Sequence, residues 1–187
     1  MPTLAATPRL TWDNVEGRKK WSEQLLASVA ESLPALESAD VSAFAPRYSD
    51  LDPVARLRFW GEFFVAMSWY ESAWDPRCVY HEPPPLSVDS IGLLQLSYED
   101  ARVYDLEPLD PRDAEHSLKN PVVNLRCGVA ILARLVARDH VVTQTSGRSH
   151  RGGARYWSVL RPRRRLKQIR RWVLSTAGLL GVEGVRR

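Results

Sequence analysis

Two cysteines, Cys78 and Cys127, are all that the 187 residues contain, too few for a disulfide-dense scaffold. A single bridge between them would stabilise the fold by about 4 kcal/mol in an oxidising compartment. In a reducing one they are two buried free thiols. Cys78 and His81 have a ligand-like spacing, but no second CxxC or HxxxH half accompanies them, so no metal site is expected. Long apolar runs are also missing. The longest uncharged, mostly apolar stretch, Val173 to Val182, is about half of the ~20 residues a bilayer requires, so no transmembrane segment is expected. Met1 to Leu10 lacks a basic segment followed by an apolar one, so no secretory signal is visible. There is no internal repeat and no low-complexity tract. Strand signal is weak, leaving room for at most a small ribbon near Tyr80 or Val88.

What is present is ordinary for a globular chain: 44% apolar and 26% charged residues, in a length that suits one domain. The distribution of charge is less ordinary. The net charge of +4 hides a balance of −7 over residues 1–147 and of +11 over residues 148–187, where Glu183 is the only acid. Such asymmetry fits an anionic partner, whether nucleic acid, a phosphate-bearing polymer or a membrane surface, or else a solvated basic helix face. A nucleic-acid partner is not expected, because neither a readout motif nor a metal finger accompanies the charge.

Apolar periodicity predicts several helices. Asn14 to Ser32 reads as an amphipathic helix ended by Pro34. Asp52 followed by Pro53 supplies a cap and a first-turn proline for a long helix running to Ser72. Asn120 with Pro121 starts another, apolar around most of its girth and so predicted to be the central one. A short helix is predicted from Ser97 to Tyr104, and a last one from Arg163 to Thr176. Three consecutive prolines, 83 to 85, make the segment from Pro76 to Ser90 an extended loop, and His140 to Gly153 is polar and reads as loop.

One residue breaks the apolar stripe of the long helix. Leu57, Trp60, Phe64 and Met67 recur at helical spacing, and the next position is Glu71, among Trp69, Tyr70 and Trp74. Two readings follow. Burial among aromatic rings disfavours the charged carboxylate and prepares it to donate a proton at neutral pH; alternatively, Glu71 turns to solvent at the helix end and pairs with Arg77.

Further motifs decide between them. Glu71-Ser72-Ala73-Trp74-Asp75-Pro76, then Gly92-Leu93-Leu94-Gln95, resemble the Glu-Ser and Gly-Leu-Met-Gln motifs of the lytic transglycosylase and goose-type lysozyme-like family. Asn120-Pro121-Val122-Val123-Asn124-Leu125 with Gly128 resembles the start of that family's central helix, and Ala154-Arg155-Tyr156-Trp157 a variant of its Ala-Tyr-Asn segment. The resemblance covers about residues 50–175, leaving 1–49 as an N-terminal helical extension of a single lysozyme-like domain. Two departures stand out. The loop between Glu71 and Gly92 is longer than usual around His81 to Leu86, and Trp157 replaces the asparagine after the family's tyrosine.

The resemblance implies an α+β, predominantly α-helical lysozyme-like fold and cleavage of the β-1,4 bond between N-acetylmuramic acid and N-acetylglucosamine in peptidoglycan. Glu71 would then be the acid and base of a lytic transglycosylase giving 1,6-anhydro products, with Tyr156 orienting it and no cofactor. Ser72, Ser90, Gln95, Tyr98 and Trp157 are the candidates for contacts with sugar. Hydrolysis would need a second carboxylate, for which Glu82 and Asp89 in the long loop are the candidates. A wall-binding module without activity is the reading from another class, which a retained Glu71 disfavours. A peptidoglycan substrate implies a periplasmic or secreted location, which favours the Cys78–Cys127 bridge. The oligomeric state has no signature in the sequence.

Overall fold

The structure is a computed structural model that describes residues 7–85 and 87–178; Leu86 in the long loop, the first six residues of the Met1 to Leu10 segment and the end of the Val173 to Val182 run lie outside them. The first helix, α1, spans Lys19–Leu36 rather than Asn14 to Ser32. Gly17 takes a φ of +84° just ahead of it. Pro34 lies inside its last turn instead of ending it, since the one hydrogen bond a proline forfeits is offset by carrying Leu36 into full burial. The long helix, α2, spans Pro53–Ser72 as the sequence indicates, with the Asp52 carboxylate accepting from the Ala55 amide at 2.8 Å.

Every residue from Phe59 to Ser68 is buried. This helix, more than the one after Asn120, is therefore the enclosed centre of the fold. Its burial is all-round because α1, the N-terminal segment and the last helix all cover it. Glu62 is fully buried within it. Its carboxylate accepts from the Thr11 amide at 2.8 Å, the Thr11 hydroxyl at 2.9 Å and the Trp172 indole at 2.9 Å, which compensates the desolvation of the charge. The N-terminal segment is thus woven into one hydrophobic core that reaches from Leu10 to Val173.

A first hairpin follows α2, formed by β1 (Val79–His81) and β2 (Asp89–Ile91), with Tyr80 opposite Ser90 and His81 opposite Asp89. The short α3 covers Asp100–Val103. Then α4, Pro121–Asp139, starts on an Asn120 cap that accepts from the Val122 amide at 3.0 Å. The polar segment read as loop forms a second hairpin, β3 (Thr143–Ser146) with β4 (Ser149–Gly152). Its strands are mostly exposed on both faces, so the apolar alternation that betrays a strand was never required of them. The last helix, α5, spans Arg163–Thr176 and buries Ile169 and Val173. The architecture is a helical body with two small antiparallel ribbons, α+β and predominantly helical. Among the described residues no helix is long and apolar enough to cross a membrane.

Candidate active site

Glu71 is the penultimate residue of α2, and the chain leaves the helix sharply after it. Ala73 and Trp74 both adopt positive φ, 52° and 63°, a conformation that costs a residue with a Cβ of order 1 kcal/mol. Trp74 holds the bend in place. Its indole donates to the Val65 carbonyl at 2.9 Å, and its ring packs edge-on against Trp69, Trp12 and Trp172. The neighbouring Ser72 is buried, and its hydroxyl donates to the Leu93 carbonyl at 3.0 Å, tying the helix end to the turn at Gly92. That hydroxyl is therefore committed to backbone and not free for a sugar.

The Gly92 turn is the second wall. Gly92 has a φ of +78°, and a Cβ there would lie 2.4 Å from the Leu118 carbonyl oxygen, so only glycine fits. The contact arises because Asn124, fully buried on α4, clamps the turn. Its Nδ2 donates to the Ile91 and Leu118 carbonyls, each at 2.9 Å, and its Oδ1 accepts from the Leu94 amide at 2.9 Å. Gly128, one helical turn further, lets α4 approach the same segment, since a Cβ would meet Leu94 at 2.2 Å. The sequence shows Asn124 within a motif but assigns it no task; two of its three partners, Ile91 and Leu94, lie 33 and 30 residues away in the chain. From the opposite side the Trp157 indole donates to the Leu94 carbonyl at 3.0 Å.

Between these walls lies a cavity of about 610 Å³, bordered by Glu71, Glu82, Ser90, Gln95, Tyr156 and Arg161 among others. Its size suits an oligosaccharide segment. Glu71 is not the solvated partner of Arg77, whose guanidinium instead lies 3.5 Å from Glu115. One Glu71 carboxyl oxygen, Oε1, is buried without a hydrogen-bond partner. Burial pushes the carboxyl up to about 7, with the nearby Glu82 charge adding to the rise and Arg165, Arg161 and the Val159 amide opposing it. Near neutrality it can both give and accept a proton.

The other candidates divide. Ser90 and Glu82 border the cavity together, the serine donating to the Glu82 carboxylate at 3.1 Å. Asp89 does not border it, pairing instead with His81 at 2.6 Å on the exposed hairpin. Period-two alternation explains the split, because Ser90 takes the cavity side of β2 and leaves Asp89 the other face. Gln95 borders the cavity, but its Nε2 is held by the Gly92 and Cys78 carbonyls at 2.9 and 3.2 Å, so its amide nitrogen shapes the turn. Tyr98 is not among the bordering residues.

Three expectations need correction. The Tyr156 hydroxyl is bonded to the Asp100 carboxylate rather than to Glu71. Asp100 is buried and also accepts from the Ser97 amide at 2.8 Å, so the tyrosine is anchored away from the acid it was expected to orient. Trp157 borders the cavity but is only 1% exposed, a core residue whose indole secures the Gly92 turn and which leaves no open ring face as a platform for a sugar. Cys78 and Cys127 are free thiols: Cys78 sits on the cavity wall, while Cys127 faces Glu107 at 3.6 Å on α4.

Comparison with solved structures places this arrangement among relatives. The wild-type form 2 of Bd0314 DslA is 30% identical, with a TM-score of 0.79 over 94% of this chain and all of the other. The Transglycosylase SLT domain profile matches residues 55–146. The chain belongs to the transglycosylase SLT family. Two further structures of DslA are similar, at 31% and 29% identity and TM-scores of 0.77 and 0.79, covering 89% and 94% of this SLT chain and 94% and 100% of theirs. Both are glutamate-to-glutamine mutants, and the substituted positions are eleven residues apart. No curated protein sequence matches the chain significantly. The shared structure extends well before residue 50, into the helical extension for which the sequence suggests no relative.

Proposed function

We propose that this SLT protein cleaves peptidoglycan glycan strands at the β-1,4 bond between N-acetylmuramic acid and N-acetylglucosamine, by hydrolysis, outside the cytoplasm. The observation that carries this reading is a proton-holding Glu71 with a second carboxylate, Glu82, on the same cavity. Glu71 and Glu82 are eleven residues apart, the same separation as the two glutamates exchanged in the DslA mutants.

In the proposed reaction Glu71 donates its proton to the glycosidic oxygen as that bond breaks. The Glu82 carboxylate, in polar contact with Ser90, meets the positive charge that develops at C1. Water then adds at C1, its proton passing to a carboxylate, and the product carries a reducing end. Both a direct displacement by water and a covalent route use this pair, the separation of the carboxyl groups in the substrate complex selecting between them.

The family favours a second reading, lytic transglycosylation. Here Glu71 protonates the leaving oxygen and then, as carboxylate, takes the proton of the muramoyl C6 hydroxyl, which attacks C1 to give the 1,6-anhydro sugar. That route leaves Glu82 without a chemical task. Digestion of purified sacculi followed by weighing of the fragments separates the two, since anhydro products are lighter by one water. Reducing-end products are expected, and anhydro products would overturn the hydrolytic reading. Sacculi left intact by the wild type would overturn the glycosidase reading as a whole.

A further inference from the structure

The cleft is electrically two-sided. Glu82 borders it from the hairpin, whereas Arg161, two residues ahead of α5, borders it from the C-terminal part of the chain. The Arg161 guanidinium borders the cavity and is fixed in place, its Nε donating to the Ala154 carbonyl at 2.9 Å and one Nη to the Arg155 and Tyr156 carbonyls at 3.1 and 3.4 Å. Its other Nη has no partner among the described residues. Directly after Arg161 the chain borders a second depression of about 360 Å³, lined by Pro162, Arg164, Arg165 and Gln168. Arg165 is stacked over the Tyr70 ring at 4.7 Å, and Tyr70 immediately precedes Glu71.

These arginines form no ion pair with the protein's own acids among the described residues, although Arg165 and Arg161 lie near enough to Glu71 to oppose the rise in its proton affinity. Among the described residues none of Arg161, Arg163, Arg164 and Arg165 has a carboxylate within 4.0 Å. The contrast within the same chain is sharp, because Arg126 and Arg155 each hold a carboxylate in two hydrogen bonds. The α5 first turn contains three arginines and no acid, an arrangement the helix dipole opposes. Arg161 is fixed with one Nη left over, Arg165 is stacked on Tyr70, and Arg164 is exposed beside them, so guanidinium donors without a carboxylate partner border a concave surface and suit an incoming carboxylate.

We propose that the depression beside the cleft is a subsite for a carboxylate carried by the muramoyl residue, with Arg161, Arg164 and Arg165 as the donors. The proposal rests on the glycan-cleaving reading and names the part of the substrate that the basic wall holds. Two sources share this chemistry, the acid groups of a stem peptide and the lactyl carboxylate left free when the peptide has been removed.

The test uses full-length Glu71→Gln, which cannot consume its ligand, and measures affinity at low salt for three glycans of equal length: peptide-bearing, peptide-stripped and a neutral chito-oligosaccharide. A carboxylate-bearing strand is expected to bind at least ~10-fold tighter than the neutral one, and adding Arg164→Gln with Arg165→Gln is expected to erase most of that ratio. An advantage for the peptide-bearing strand alone places the contact on the peptide. An equal advantage for both acidic strands places it on a carboxylate near the sugar. Equal affinity for all three glycans, or a ratio untouched by the double substitution, overturns the subsite while leaving the cleavage reading intact. Failure to bind any of them overturns both. Arg161→Lys, which keeps the charge but loses the guanidinium's remaining Nη, is expected to retain the fold and reduce the ratio; circular dichroism verifies the fold.

Discussion

At the scale of single residues, Glu71 is governed by what surrounds it rather than by what it touches. Its raised affinity for protons makes a general acid available near neutrality and predicts an alkaline limit: the rate should fall as pH passes about 7. The neighbours set the direction of two further shifts. Glu82→Gln removes a like charge, so the limit should move to lower pH, and the same change should reduce hydrolysis by about 100-fold or more. Arg165→Gln removes an opposing charge and should move the limit upward. A pH profile of fragment release reads both signs.

The same burial has a consequence for stability. Because the folded carboxyl holds its proton to about 7 while an unfolded one releases it near 4.5, stability is greatest below that lower value and declines as pH rises between the two. Glu71→Gln should abolish cleavage and, at pH 8, be more stable than the parent by up to ~3 kcal/mol. Thermal melts at pH 4 and pH 8 would show the difference only at the higher pH. The sequence exposed this residue because an acid at the next position of an apolar stripe is conspicuous. It concealed Tyr156's real partner, Asp100, which is 56 residues away and bonded through a fold no local pattern encodes.

At the scale of elements, the cleft is held by a few long-range hydrogen bonds between α2, the Gly92 turn and α4. Asn124→Ala would strand two carbonyls and one amide in the core, each costing about 1–3 kcal/mol. The expected loss is about 3 kcal/mol or more in urea unfolding, with activity lost in parallel where the fold survives. The starts of α2 and α4 were legible because their caps are local: Asp52-Pro53 and Asn120-Pro121 satisfy the first amides with side chains of the same segment. The start of α1 lacks such a side-chain cap, and its predicted boundary was correspondingly off by five residues. The β3–β4 hairpin was illegible for the opposite reason from a buried strand, since its ladder is satisfied by backbone alone and its side chains mostly face water. Trp157 misled because a tryptophan near an active-site motif suits a sugar and a core equally well, and only its burial and its bond to the Leu94 carbonyl decide.

At the scale of the whole molecule, the N-terminal segment and the region around the cleft share one core. Trp12 is fully buried, and Thr11 satisfies the Glu62 carboxylate from across the fold. Deleting residues before α2 would uncover the α1-facing side of α2 and α4 and leave Glu62 short of donors. Such a truncation is expected to be insoluble or molten, by loss of near-ultraviolet circular dichroism, even though the SLT profile begins only at residue 55. The charge asymmetry also belongs to this scale. The acidic body and the basic last helix share one core, and the first turn of that helix follows directly after Arg161 on the cavity. Approaching a polyanionic surface, the body is repelled while the basic helix is drawn in, so the protein arrives with its cavity already turned toward the strand. Charge of this kind acts before contact, on the frequency of productive encounters, and fades as ions shorten its reach. On the proposed reading, the strand's own charge would align the protein before the two touch.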